Sequence, residues 1–302
     1  MILLHLTRYL AASLGKLGVL CALCLVALSA HASDADDVPI ARGFVSSTAI
    51  DPSTKLSVRI AIKNKADAPW VVLIHGLGKA ASEDWAPLLT ALSENYQILL
   101  LDLPGFGGST LPDAALTPHK YAELVHFLVS TYAKEPVNVL GHSMGAAVAL
   151  RYAHDYPQEV KRLLVIDAAG ILQTTVFSRH LSKIPSQFEI MPALDTWIKR
   201  GAGMLNFVSG SLQDWSANAS TTLQVLMSSE GARKFLYKDN SNINAALGLV
   251  NEDFTPLLRN LRAPTYILWG EQDPIAPLRT GIALAWSMPH ARLTRLPHVG
   301  HM

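Results

Sequence analysis

The chain has 302 residues, half of them hydrophobic, with 25 basic against 24 acidic side chains and a formal charge of +1. That length is enough to bury one large core without demanding a second. The balanced charge excludes nucleic acid or another polyanion as the expected partner, and two cysteines are too few for a disulfide framework.

The N-terminus reads as a segment apart. Arg8 and Lys16 precede an apolar run from Leu17 to Ala30, and Ala30-His31-Ala32 is a small-x-small cleavage pattern before Ser33. This is the pattern of a secretory signal peptide over residues 1–32, which implies a periplasmic or secreted mature protein. The alternative is an N-terminal membrane anchor, but the apolar run is short of the roughly 20 residues that span a bilayer. Cleavage would remove Arg8, Lys16, Cys21 and Cys24, leaving 23 basic and 24 acidic residues and no thiol. A mature chain without thiols has no disulfide, no cysteine nucleophile and no thiolate metal site. Neither cysteine has the small-residue setting of a lipid-anchored signal.

After an acidic stretch, Ser33 to Asp37, strand-like runs follow one another. Lys55 to Ile62 alternates and is rich in Val and Ile. Trp70 to Ile74 ends at His75-Gly76, Tyr96 to Leu101 at Asp102, and Val137 to Leu140 at a serine turn. Arg162 to Ile166 ends at Asp167, Thr265 to Trp269 at Gly270, and Arg292 to Leu296 at Pro297. Short continuous apolar runs suit strands buried on both faces of a parallel sheet. Helical periodicity separates them. Glu83 to Glu94 places Trp85, Leu88, Leu89 and Leu92 on one face; Pro118 to Tyr132, Ser143 to Asp155 and Leu278 to Trp286 repeat the pattern. The alternation predicts an α/β fold, a doubly wound and mostly parallel sheet, built from residues 33–170 and 261–302. Residues 171–260 interrupt it with aromatic-rich helical stretches (Phe177, Phe188, Trp197, Phe207, Trp215) and read as an inserted helical cap, the wall of an apolar pocket.

In such sheets ligands bind beyond the carboxyl ends of the strands, where His75, Asp102, Ser143, Asp167 and Asp273 fall. The densest signal there is Gly141-His142-Ser143-Met144-Gly145, between an apolar strand and a small-residue helix start. A bare Gly-x-Ser-x-Gly also describes a serine in a tight turn. Between strand and helix it describes a nucleophile elbow, with the backbone N–H of Met144 beside the hydroxyl as one oxyanion donor. A serine hydroxyl needs a base, normally a histidine oriented by a carboxylate. In the chain order Ser, Asp, His, the candidates are Asp273 and His301, each just after a strand.

At this point the sequence resembles the α/β-hydrolase superfamily, in particular single-chain members with a helical cap. The resemblance rests on five ordered segments over residues 70–302: Val71-Val72-Leu73-Ile74-His75-Gly76-Leu77-Gly78; Leu101-Asp102-Leu103-Pro104-Gly105-Phe106-Gly107-Gly108-Ser109; Gly141 to Gly145; Trp269-Gly270-Glu271-Gln272-Asp273-Pro274; and Val299-Gly300-His301-Met302. It implies Ser143 as nucleophile, His301 as general base and then acid, Asp273 as the orienting carboxylate, and the backbone N–H of Leu77 as second oxyanion donor. His75, Gly76 and His142 would support the oxyanion loop and the elbow. Asp167 is the rival acid and His298 the rival histidine. Asp102 is expected to bond backbone in its turn, and Ser109 to be structural. The family pattern continues past the histidine with one more helix, and that final helix is missing from a chain that stops at Met302.

Haloalkane dehalogenases and epoxide hydrolases of this fold carry aspartate at the nucleophile position, so Ser143 points to acyl chemistry instead. The expectation is a serine esterase or lipase acting on an apolar acyl or aryl ester, with no cofactor and no metal. Carbon–carbon bond hydrolase, lactonase, perhydrolase-type and acyltransferase activities use the same triad. A non-catalytic binding module on this fold is the alternative of a different class.

Overall fold

Among the described residues eight strands form one sheet in the order β1-β2-β4-β3-β5-β6-β7-β8. They are β1 Val45–Ile50, β2 Ser57–Lys63, β3 Trp70–Ile74, β4 Gln97–Leu101, β5 Val137–His142, β6 Val160–Ile166, β7 Thr265–Gly270 and β8 Arg292–Leu296. The computed structural model describes residues 43–113, 115–171, 241–250, 252–288 and 290–302. The expected signal segment and most of the expected cap lie outside the described residues.

β1 pairs antiparallel with β2, and β2 antiparallel with β4. From β4 onward every pairing is parallel. Each parallel step carries its helix: α1 Ala86–Ser93, α2 Pro118–Leu128, α3 Met144–Asp155 and α6 Leu278–Ser287. α4 Ser241–Val250 and α5 Thr255–Asn260 precede β7. The sheet is therefore mixed but mostly parallel, as the alternating pattern predicts. β1 escapes the sequence reading because Val45-Ser46-Ser47-Thr48-Ala49-Ile50 is an exposed edge with little apolar signal.

Side chains alternate across a strand, so a strand covered on both faces must be apolar throughout. β3 shows the consequence. Val72 and Ile74 join one core, with Leu99, Val139, Val165, Ile267 and Trp269, under helices that include α2 and α3. Val71 and Leu73 join a second core on the opposite face, with Leu100, Leu140, Leu164 and Leu268. There Trp85, Leu88, Leu89 and Leu92 form the covering stripe, as the periodicity of 83–94 predicts. That stripe is not one helix: a 3-10 turn over Ala81–Trp85 precedes α1, which restarts with Pro87 in its first turn. α2 likewise passes into a π turn, Val129–Ala133, which ends at Lys134 in the left-handed region. Within the 171–260 segment, Phe254, Leu257 and Leu258 pack into the first core, as do Ala245 and Leu249 of α4.

The registers decide where the strands end. Ile74 lies beside Gly141, His142 beside Ile166, Ile166 beside Leu268, and Gly270 beside Leu296. Residues 75, 143, 167, 271–273 and the segment after 296 thus emerge along one edge. At that edge Trp269, fully buried, donates its indole N–H to Ala276 O at 2.7 Å and pins the loop after β7.

Trp269→Phe keeps most of the packing and leaves the Ala276 carbonyl unpaired. It is expected to lower unfolding free energy by about 1–3 kcal/mol, read as a shifted urea midpoint at constant slope. An unshifted midpoint would mean that solvent satisfies that carbonyl.

Candidate functional site

β5 delivers Ser143 into a backbone conformation of φ 54° and ψ −119°. A non-glycine residue there is strained by roughly 1–3 kcal/mol, so its surroundings must hold it. They do so from three sides. Ser143 N–H donates to Ile166 O at 2.9 Å, while Ser143 O accepts from Ala146 N–H at 3.1 Å and Ala169 N–H at 3.2 Å. The flanking glycines answer close approaches. A Cβ on Gly141 would collide with the Gly145 carbonyl, and one on Gly145 with the carbonyls of Ile74 and His75. α3 therefore starts hard against β3 and β5, with Ser143 between strand and helix.

The Ser143 hydroxyl lies 2.9 Å from His301 Nε2, and His301 Nδ1 lies 2.7 Å from Asp273 Oδ2. All three residues are buried. Asp273 Oδ1 accepts from the N–H groups of Ile275, at 2.7 Å, and Ala276, at 2.8 Å. A carboxylate so held takes the His301 Nδ1–H, which leaves Nε2 as the acceptor facing Ser143. The C-terminal segment is tied to the loop after β7 by Glu271 N–H to Leu296 O, at 3.0 Å, and Gln272 N–H to Val299 O, at 2.9 Å.

Met144 is the first residue of α3, so its N–H belongs to the unsatisfied, electropositive first turn. The chain after β3 approaches from the other side: a Cβ on Gly76 would lie 2.9 Å from Ser143 Cβ. Leu77 follows directly. The two expected oxyanion donors thus belong to the two backbone segments that flank Ser143.

The supporting histidines bond backbone. Leu103 N–H donates to His75 Nε2 at 2.9 Å, so His75 Nδ1–H donates to Gly76 O at 2.7 Å. His142 Nε2–H donates to His301 O at 2.9 Å, a link between the elbow and the histidine segment. Burial lowers the His75 ring from its ordinary value. Burial, and then the charge His301 can carry, push His142 down to about 3. Both rings are neutral in the fold.

The rivals lie elsewhere. His298 is exposed, with its nearest polar partner Gln272 Nε2 at 3.4 Å. Asp167 is buried, takes Gly270 N–H at 2.8 Å, and feels the charge of Asp273, while His301 Nδ1 bonds Asp273. Asp102 bonds backbone as expected, taking Ser82 N–H at 3.1 Å and Gly108 N–H at 2.9 Å. It also holds Arg59 Nε, a partner the sequence did not indicate, since β2 is remote in the chain and carries no motif. Burial works against its ionisation, but Arg59, Ser82 and Gly108 together keep its carboxyl below the usual range. Ser109 bridges Asp102 O, at 2.6 Å, and Arg59 N–H, at 2.8 Å. Among the described residues no group of three or more His, Cys, Asp or Glu is placed to hold a metal ion, and no helix is long and apolar enough to cross a membrane.

This chain belongs to the alpha/beta hydrolase fold family, whose model matches residues 69–302. A 2-hydroxy-6-oxononadienedioate/2-hydroxy-6-oxononatrienedioate hydrolase of Comamonas testosteroni is 25% identical over 252 residues, which is 80% of this chain and 85% of that one. Among solved structures, the enol-lactonase of Burkholderia xenovorans LB400 superposes with a TM-score of 0.60 at 22% identity, over 84% of this chain and 92% of that one. A thermophilic esterase from Thermogutta terrifontis gives 0.57 at 19% identity, over 85% and 91%. At such identities the two structures speak to the fold alone.

Because the His142 ring is neutral when folded and protonates near pH 6.5 when unfolded, the unfolded chain binds more protons below that pH. Stability is therefore lost as pH falls from 6.5 toward 3. His142→Gln, which keeps a donor, is expected to flatten the acid limb of a Tm-against-pH curve. An unchanged limb would show that the ring accepts its proton inside the fold.

Proposed function

We propose that the protein is a serine hydrolase cleaving carboxylic esters through an acyl-enzyme on Ser143. One observation carries this reading: the unbroken chain from the Ser143 hydroxyl through His301 to Asp273, at 2.9 and 2.7 Å. His301 takes the hydroxyl proton as Ser143 Oγ attacks the ester carbonyl, and Asp273 steadies the imidazolium that forms. The carbonyl oxygen becomes an oxyanion between the N–H groups of Met144 and Leu77. Donors aimed there each contribute about 2.7–4 kcal/mol to the barrier reduction. His301 then protonates the leaving alcohol, and a water activated by the same ring releases the acid.

The aromatic composition of 171–260 supports an apolar acyl or aryl group. Residues 1–32 support export to the periplasm or exterior, an assignment tested by the N-terminal mass of the mature protein. A second reading has its own support. The Comamonas relative is by name a hydrolase of 2-hydroxy-6-oxononadienedioate, and a serine and histidine so placed would also serve carbon–carbon bond cleavage in this chain. Ester and vinylogous diketone substrates assayed side by side separate the two.

A fluorophosphonate is expected to label Ser143, mapped by mass spectrometry, with turnover of p-nitrophenyl esters. Ser143→Ala should lose both while the circular dichroism spectrum is unchanged. Retained turnover would remove Ser143 from the mechanism. Asp273→Asn should cost roughly 10³-fold or more in kcat by favouring the wrong histidine tautomer. A larger loss in Asp167→Asn would transfer the orienting role to Asp167.

A further inference from the structure

Two carboxyl groups meet behind the histidine, and their partners are unequal. Asp273 takes three N–H donors: Ile275 and Ala276 on Oδ1, and His301 on Oδ2. Asp167 takes one N–H donor, that of Gly270, and its carboxyl faces that of Asp273. Both side chains are buried, and two carboxylates in contact out of water cannot both be charged. The shared proton settles on the carboxyl with fewer donors to its anionic form.

We propose that Asp167 is a positioning residue that stays protonated behind Asp273, donating its O–H to the Asp273 carboxylate so that one fixed negative charge faces His301. The backbone is arranged for this. Asp167 is held in the left-handed region, at φ 44°, with its N–H on Leu268 O at 3.1 Å. Its neighbour Ile166 takes the Ser143 N–H, so the end of β6 braces the serine with one residue and the acid with the next. The titratable groups facing the pair are His301, from the C-terminal segment, and His142, from the end of β5, whose ring feels Asp273. Burial, and then the Asp273 charge, push the Asp167 carboxyl up to about 8.

The proton makes the pair sensitive to base. In the unfolded chain Asp167 ionises near pH 4, whereas in the fold it keeps its proton to about pH 8. Over that window the folded state binds one more proton than the unfolded state, so its stabilising share is present below pH 4 and lost as pH rises toward 8. Asp167→Asn keeps a neutral donor at the same place and carries no proton to lose.

The test compares wild type, Asp167→Asn and Asp167→Ala. The Tm of Asp167→Asn should rise relative to wild type between pH 4 and 8 and level off above. Parallel Tm curves would overturn the proposal. The catalytic consequence rests on the proposed function. With p-nitrophenyl esters, Asp167→Ala should lose about tenfold in kcat, the loss of one hydrogen bond to a charged group. Asp167→Asn should recover most of it and lack the fall in kcat that wild type shows above pH 8. An Asn variant no better than Ala, or one that keeps the alkaline fall, would also overturn it. Wild type that takes no fluorophosphonate and hydrolyses no ester would sink the hydrolase reading, while the Tm comparison would still decide where the proton sits.

Discussion

The close approach of the α3 N-terminus to β3 and β5 is the constraint on which the site depends. Helix and strand can meet there only because positions 141 and 145 carry no Cβ. That contact forces the chain between them into a conformation serine does not prefer, and the bonds to Ile166, Ala146 and Ala169 keep it there. The strain is local, while the restraint comes from β6 and the helix together. A serine on a relaxed turn would sample several rotamers and backbone states. This one offers its hydroxyl at the mouth of a helix, where the first-turn N–H groups have no partner within the helix.

Around the elbow the loops hold one another through backbone groups. The loop after β4 donates Leu103 N–H to His75, and His75 in turn fixes Gly76, which lies too near Ser143 to carry a Cβ. That same loop is folded on Asp102, which Arg59 of β2 neutralises from behind. On the far side, Trp269 fixes the loop that carries Asp273, and His142 grips the main chain of His301. Histidine here does two jobs, set by environment. His301 faces a charge and a hydroxyl, whereas His75 and His142 face carbonyls and a backbone N–H, which makes them neutral struts.

Much of this was legible in the sequence, for a physical reason. A parallel strand buried on both faces must be apolar along its length, so β3, β4, β5 and β7 announce themselves, and in a doubly wound sheet the polar residue after each strand lies at one edge. Ser143, Asp273 and His301 could be named on that basis. What could not be read was pairing between remote polar groups. Arg59 alternates with Val58 and Ile60 like any half-exposed strand residue, and nothing near it in the chain points to Asp102. Asp167 was visible as a strand-end acid, but a carboxylate that orients a histidine and a carboxyl that braces another carboxylate have the same sequence. β1 was missed because an exposed edge strand need not be apolar.

The bond from Ser143 to His301 joins residues 158 positions apart, and the bond from His301 to Asp273 closes a loop of 28. During synthesis the elbow emerges long before its base. β3, β4, β5 and β6 can assemble the serine turn while the chain that bears Asp273 and His301 has not yet been made, and contacts of such separation form late. On the proposed function, a growing or partly folded chain carries the Ser143 hydroxyl without its base until β7 and β8 dock beside β6. The order of the chain itself then acts as a timer on the reactivity proposed for Ser143.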